Sequence, residues 1–217
     1  MSRILKAVLQ SVPQPAIIMK APRNEPVLFL TFDDGPNETV TLELLDLLAR
    51  FNAKATFFCI GQQIERFPNV ARRIVDEGHL LSNHSFFHKS FSRLPLTEQL
   101  NEINRTDAII ERLTGQQNRY FRVPQGNWSM RLIWSLWRRG TTCAHWTYDS
   151  GDYQKTSPAN ILEFFKSKPV ANGEIVLFHD DNELCIHVLK SLLPEWQRQG
   201  YRFARICDMH NFPNLSE

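Results

Sequence analysis

Two adjacent carboxylates, Asp33 and Asp34, close the apolar run Val27-Leu-Phe-Leu-Thr-Phe32 and lead into Gly35 and Pro36. Like charges side by side are costly unless a cation or an arginine compensates them, although Asp-Gly-Pro is also ordinary turn chemistry. Fifty residues on, His84 and His88 stand four apart in HSFFH, so on a helical turn both imidazoles would share a face and could grip one ion. With Asp34 they would complete a two-His, one-carboxylate set. That set suits Zn²⁺ or another first-row divalent ion, with a position left for water. Arg122, in YFRVPQG, ends another apolar run; its fork could hold a carboxylate, while an ordinary surface arginine is the plain alternative. Asp149 and Asp152 lie in DSGDY, and His179 and Asp180 end IVLFHD. Each cluster alone is bland. Five of them, each at the end of a different apolar run, are hard to ascribe to solvation.

The elements that must position these residues alternate between two periods. Strand-like runs cover 27–32, 53–60, 79–83, 120–123, 141–148, 174–179 and 201–206. Between them, apolar residues at helical spacing mark helices over 37–52, 97–114, 129–139, 158–168 and 183–199. The helical region 61–77 is expected to break at Pro68. Gly115, Gly140 and Gly200 stand just past helix ends. Seven strand–helix units with no repeat or linker predict an α/β fold with a parallel sheet, closed or open. In such folds the residues that do chemistry gather in the loops after the strands' C-terminal ends. The five clusters fall there.

Composition sets the remaining bounds. The chain has 217 residues, 42% hydrophobic and 22% charged, which fits one globular domain and excludes intrinsic disorder. A net charge of +2 gives no basic excess of the kind nucleic-acid binders show, and no motif for that role is present. Cys59, Cys143, Cys185 and Cys207 lack zinc-finger or disulfide-scaffold spacing and read as thiols in a reducing compartment. Asn-X-Ser/Thr triplets at Asn37, Asn83, Asn104, Asn127 and Asn214 read as chance matches, since two fall inside the clusters above. No apolar stretch reaches the ~20 residues of a membrane span. Polar and proline interruptions between Ile4 and Met19 leave no export-signal core. A cytoplasmic protein is the expectation. Ile4–Leu9 could form an amphipathic turn against a membrane or partner, so peripheral contact through residues 1–20 stands beside a simply frayed terminus.

The ordered clusters TFDDGP (31–36), HSFFH (84–88), RVPQG (122–126), DSGDY (149–153) and VLFHD (176–180), with TFFCIG (56–61) and EGHLLSNH (77–84), resemble the NodB-homology polysaccharide deacetylases, carbohydrate esterase family 4. The resemblance implies a distorted (β/α) barrel of about seven parallel strands over residues 27–210, preceded by an extension over 1–26. It implies a metal-dependent hydrolase that removes N-acetyl, less often O-acetyl, groups from sugars. By motif position, Asp34, His84 and His88 would bind the metal and Asp33 would be the base, oriented by Arg122. His179 would be the general acid, tuned by Asp152, with Leu177 and Tyr153 shaping the acetyl pocket. The backbone N–H near Gln125 could help hold the oxyanion.

Two positions depart from the family pattern: Gln125 replaces a usual Tyr and Tyr153 a usual Trp. Both bear on substrate choice. They leave room for a related amidase or esterase on a non-sugar acyl group, and a silent carbohydrate-binding homologue is the third reading. Trp128 and Trp146 could stack on a sugar ring, whereas Trp134 and Trp137 read as core and interface contacts. His79, His145, His187 and His210 read as structural or surface residues. The expected substrate is an N-acetylhexosamine in an intracellular biosynthetic intermediate.

Overall fold

An unbroken apolar strand needs cover on both faces, and Val27–Asp33 finds helices on one side and a barrel interior on the other. A computed structural model of the chain describes residues 16–19, 21, 24–154 and 157–211; Ile4–Leu9, Asn214 and the side chain of His210 lie outside them. Its strands and helices run β1 (Ile17–Ile18), β2 (Val27–Asp33), α1 (Val40–Arg50), β3 (Thr56–Cys59), α2 (Gly61–Arg66), α3 (Pro68–Asp76), β4 (Leu80–Asn83) and α4 (Leu96–Thr114). They continue as β5 (Tyr120–Phe121), α5 (Met130–Trp137), β6 (Thr142–Ala144), β7 (Tyr148–Asp149), α6 (Pro158–Ser167), β8 (Ile175–His179), α7 (Leu184–Arg198) and β9 (Arg202–Phe203). The strand pairings among the described residues are parallel, in the order β1-β6-β5-β4-β3-β2-β8-β7, with β9 beside the start of β2. The curled sheet with helices outside it is a distorted (β/α) barrel.

Alternation along the strands sorts the side chains. Leu28, Leu30 and Phe32 join Leu44, Leu48 and Leu189 in the core beneath the helices. Val27 and Phe29 point the other way, meeting Phe58, Ala144 and Ile175 inside the barrel. Each such side chain, fully buried, contributes about 1.5–3 kcal/mol, so the lower barrel carries stability. Thr31 and Asp33 continue the inward row toward the strand ends, where the lining turns polar.

Among the described residues nine strands stand where the sequence reads seven. The run 141–148, expected as one strand, breaks in two because its ends serve opposite edges of the sheet. Cys143 pairs with Phe121 on β5, whereas Tyr148 and Asp149 pair with Val176 and Leu177 on β8. Residues 145–147 bridge the gap, and the Thr147 N–H donates to the Ile175 carbonyl at 3.0 Å. The ninth strand is Ile17–Ile18, within the stretch read as an extension, paired with Cys143 and Ala144. The helical region 61–77 divides at Pro68, which opens α3. The four cysteines are free thiols, three of them buried.

Candidate active site

Asp33 ends β2 with 3% of its surface exposed, and Arg122, fully buried just after β5, faces it across the barrel. One nitrogen, Arg122 Nη1, donates to both Asp33 Oδ1 and Thr31 Oγ1 at 2.8 Å. Nε and Nη2 donate instead to the carbonyls of Ala144 and His145, both at 3.3 Å. The expected two-pronged grip on a carboxylate is therefore replaced by a single contact, because the other prongs donate to the strand-end carbonyls of Ala144 and His145. Burial pushes the Arg122 pKa down from its usual value, while the Asp33 charge opposes that shift. The guanidinium also lies 4.2 Å from the Phe58 ring centroid, a further stabilising contact.

In an extended chain Asp34 would point away from the interior. Its left-handed backbone, φ +78°, turns the carboxylate back to the mouth. Oδ1 of Asp34 lies 3.5 Å from His84 Nε2 and 3.3 Å from His88 Nε2, and all three donors fall within 4.8 Å of one another. Two donors each ~2.05 Å from a tetrahedral ion lie about 3.3–3.4 Å apart. Asp34 Oδ1 is buried without a hydrogen-bond partner, which is costly unless something cationic meets it. His84 Nδ1 is 2.8 Å from the Arg122 carbonyl oxygen. A carbonyl only accepts, so the proton sits on Nδ1 and the Nε2 lone pair faces Asp34. Burial lowers the His84 pKa against the pull of Asp33 and Asp34, which favours the neutral form that ligates. The donor set fits a divalent cation.

The segment HSFFH is not the helical turn its spacing suggests. Ser85 and His88 both have positive φ, +71° and +54°, and the ring centroids of His84 and His88 are 5.0 Å apart. Buried acceptors hold this strained loop. Glu102 Oε2 accepts from the N–H groups of Phe86 and Phe87 at 3.2 and 2.7 Å. Asn83 Oδ1 accepts from Ser85 N–H at 2.7 Å, and Asn83 Nδ2 donates to Asp107 at 2.6 Å. Sequence reasoning missed Glu102, Asp107 and Thr31, which are remote in sequence from the loops they hold.

Across the mouth, His179 pairs with Asp33 in register. Its Nδ1 lies 2.7 Å from Oδ1 of fully buried Asp152. Burial acts to lower the His179 pKa, but the Asp152 hydrogen bond and charge, with Asp33 and Asp34 beyond, raise it to about 9. Asp180 is held in quite another way. It accepts from Gly35 N–H at 3.0 Å and Thr41 Oγ1 at 2.5 Å, and its own N–H donates to the Asp33 carbonyl. Burial raises its pKa to about 7. The sequence placed Asp180 in a motif without a task; the structure makes it the tie between the β2 and β8 loops.

The expected substrate-contacting residues divide. Leu177 is buried on β8 opposite Thr31, one inward position below His179. Tyr153 is 52% exposed, its ring 5.7 Å edge-on to His179. Gln125 is exposed in the turn Pro124–Gly126 with φ +59°. Trp128 is half-buried, edge-on to Phe121 at 6.0 Å and packed against a core cluster. His79 accepts from Ala55 N–H at 3.1 Å and serves the fold.

Residues 20–144 match the family model described as polysaccharide deacetylase. A peptidoglycan-N-acetylglucosamine deacetylase of Bacillus cereus is 30% identical over 203 residues, 91% of this chain and 73% of the relative. A chitooligosaccharide deacetylase of Bradyrhizobium is 29% identical, covering 84% of this chain and 90% of the relative. A crystal structure of a peptidoglycan N-acetylglucosamine deacetylase in complex with 4-naphthalen-1-yl-N-oxidanyl-benzamide superposes with a TM-score of 0.85 at 30% identity, over 89% of this chain and 92% of that one. The ordered motifs, the open parallel barrel and these likenesses agree, and the chain belongs to the polysaccharide deacetylase family.

Proposed function

We propose that this protein hydrolyses the N-acetyl group of an N-acetylhexosamine within an oligosaccharide or glycoconjugate. The observation that carries the reading is the meeting of three groups at one barrel mouth: the Asp34–His84–His88 donors, the Asp33–Arg122 pair and the His179–Asp152 pair. Asp34, His84 and His88 would hold a divalent ion, which we take to be Zn²⁺ from its N,N,O donors. Bound there, the ion supplies a Lewis acid for the acyl carbonyl and a water of lowered pKa.

The chain's own groups divide the proton work. Arg122 occupies Asp33 Oδ1, leaving Oδ2 on the His84 side to accept the proton of the attacking water. As the water oxygen bonds to the acyl carbon and the C–N bond breaks, the leaving nitrogen needs a proton. His179 delivers it from Nε2, because Nδ1 is committed to Asp152. Acetate and a free amine result. Leu177 closes the floor beside the methyl, and Tyr153 and Gln125 form the exposed rim where the rest of the sugar would lie.

Relatives named for chitooligosaccharide and for peptidoglycan substrates bracket the substrate class. We place the work inside the cell, on soluble or carrier-linked intermediates, because four unpaired thiols suit a reducing compartment. Wall glycan is the second reading, favoured by the name of the Bacillus cereus relative. Chitooligosaccharides, lipid-linked N-acetylglucosamine and intact wall, assayed for free amine, decide between them. Release from wall polymer alone would sink the intracellular reading, and release from none would sink the deacetylase reading. Cell fractionation checks the compartment independently.

A further inference from the structure

The 37 residues between Glu111 and Asp149 carry six arginines and no Asp, Glu or Lys, in a chain of net charge +2. The rest of the protein is therefore net acidic. α5 lies in the middle of this stretch and has two apolar faces. Leu132, Ile133 and Leu136 are buried against Ala16, Ile17 and Phe121. Met130 and Trp134, one helical turn apart, are 43% and 56% exposed, and Trp134 is the most exposed of the large apolar side chains described. The half-buried Trp137 ring lies 5.0 Å from that of Trp134 and links this second face to the buried cluster. Arg131 and Arg138 lie together along one border of it in solvent, and neither pairs with a carboxylate among the described residues.

Single exposed apolar residues are ordinary, but an aromatic and thioether stripe bordered by unpaired arginines has the composition of a surface that sits at a lipid interface. Indole rings prefer the headgroup level, and arginines there reach lipid phosphates while their stems stay in apolar contact. We infer that α5 docks on an anionic lipid surface, Met130 and Trp134 entering the headgroup region and Arg131 and Arg138 pairing with phosphates. A soluble polyanion would use the arginines alone and leave the stripe without a role. α5 follows directly on the Pro124–Gly126 turn of the Arg122 cluster. Docking through it would bring the catalytic mouth to the bilayer surface, where carrier-linked sugars are presented.

Co-sedimentation of the full chain with phosphatidylglycerol-containing vesicles, against phosphatidylcholine vesicles, tests the surface independently of the acyl chemistry. Binding is expected only to the anionic vesicles, weakened by salt. Partitioning should fall at least about tenfold in R131Q/R138Q, and also in W134S/M130S. The four side chains are exposed, so both variants should keep the wild-type melting curve and the turnover of soluble chitooligosaccharide. Absence of wild-type binding would overturn the inference. So would binding that survives in W134S/M130S, since residues elsewhere or charge alone would then carry it. A dimer that W134S/M130S converts to monomer, without vesicle binding, would make the stripe a contact between copies and equally end the proposal.

Discussion

His179 and Asp152 are joined twice: imidazole Nδ1 lies 2.7 Å from Oδ1, and the His179 backbone N–H donates to Oδ2 at 2.8 Å. Both carboxylate oxygens are spent on one residue. The ring's tautomer and direction are thereby fixed before any substrate arrives, leaving Nε2 as the only nitrogen free to exchange a proton with it.

The pH dependence follows from this pair. Burial opposes charge on His179, but Asp152 wins and lifts the pKa to about 9, so the acid form persists through neutral pH. On the alkaline side kcat/KM should fall as pH passes about 9, and Asp152→Asn should move that limb to lower pH. His179→Ala should lower kcat by about 10²–10⁴. The same raised pKa adds stability that is complete below the unfolded histidine value of ~6.5 and is lost as pH rises through about 9. An alkaline limb that Asp152→Asn leaves in place would separate His179 from the proton step.

Metal content and turnover should part company. His84→Ala and Asp34→Ala remove donors from the triad and are expected to yield metal-poor protein by elemental analysis. Asp33→Asn keeps every donor and should retain the ion while losing turnover. Equal metal loss in all three variants would put Asp33 among the ligands instead.

Arg122 should matter to the fold as well as to the site. It is fully buried, and its removal takes the donor from Asp33 and from two carbonyls, while Thr31 keeps its own bond to the Val176 carbonyl. Loss of one partner from a buried ion pair costs about 3–5 kcal/mol. Arg122→Ala should therefore melt roughly 6–20 °C lower in a domain of this size, a shift that calorimetry reads directly. An unchanged melting point would mean that water takes over the lost contacts.

The tie between the β2 and β8 loops has no room to spare. A Cβ at position 35 would stand 2.2 Å from Asp180 Oδ2, so Gly35→Ala must displace either Asp180 or the loop that carries Asp33 and Asp34. Both stability and kcat should fall. Wild-type turnover in Gly35→Ala would show that the loop relaxes without moving the carboxylates.

The rim should behave differently. Gln125 and Tyr153 are exposed, so Gln125→Tyr and Tyr153→Trp are expected to change KM across a substrate panel while metal content and melting point hold. An effect confined to kcat would assign one of them to the chemistry.

The sequence by itself determined the βα order, the apolar strand that ends at Asp33, the helix ends at glycine and the residue types of the site. Those features rest on local periodicity and on short segments that hold their meaning out of context. Tertiary structure decided what depends on partners far along the chain. The run 141–148 became two strands because its ends meet different neighbours. HSFFH left the helix its spacing suggested because Glu102 and Asn83 capture its N–H groups. Arg122 divided its donors among carbonyls that strand pairing left open, Asp180 acquired its task from Gly35 and Thr41, and Trp128 turned to Phe121. Hydrogen-bond supply and packing are settled only when the strands come together, which is why motifs could bring the candidate residues to notice but not the contacts that aim them.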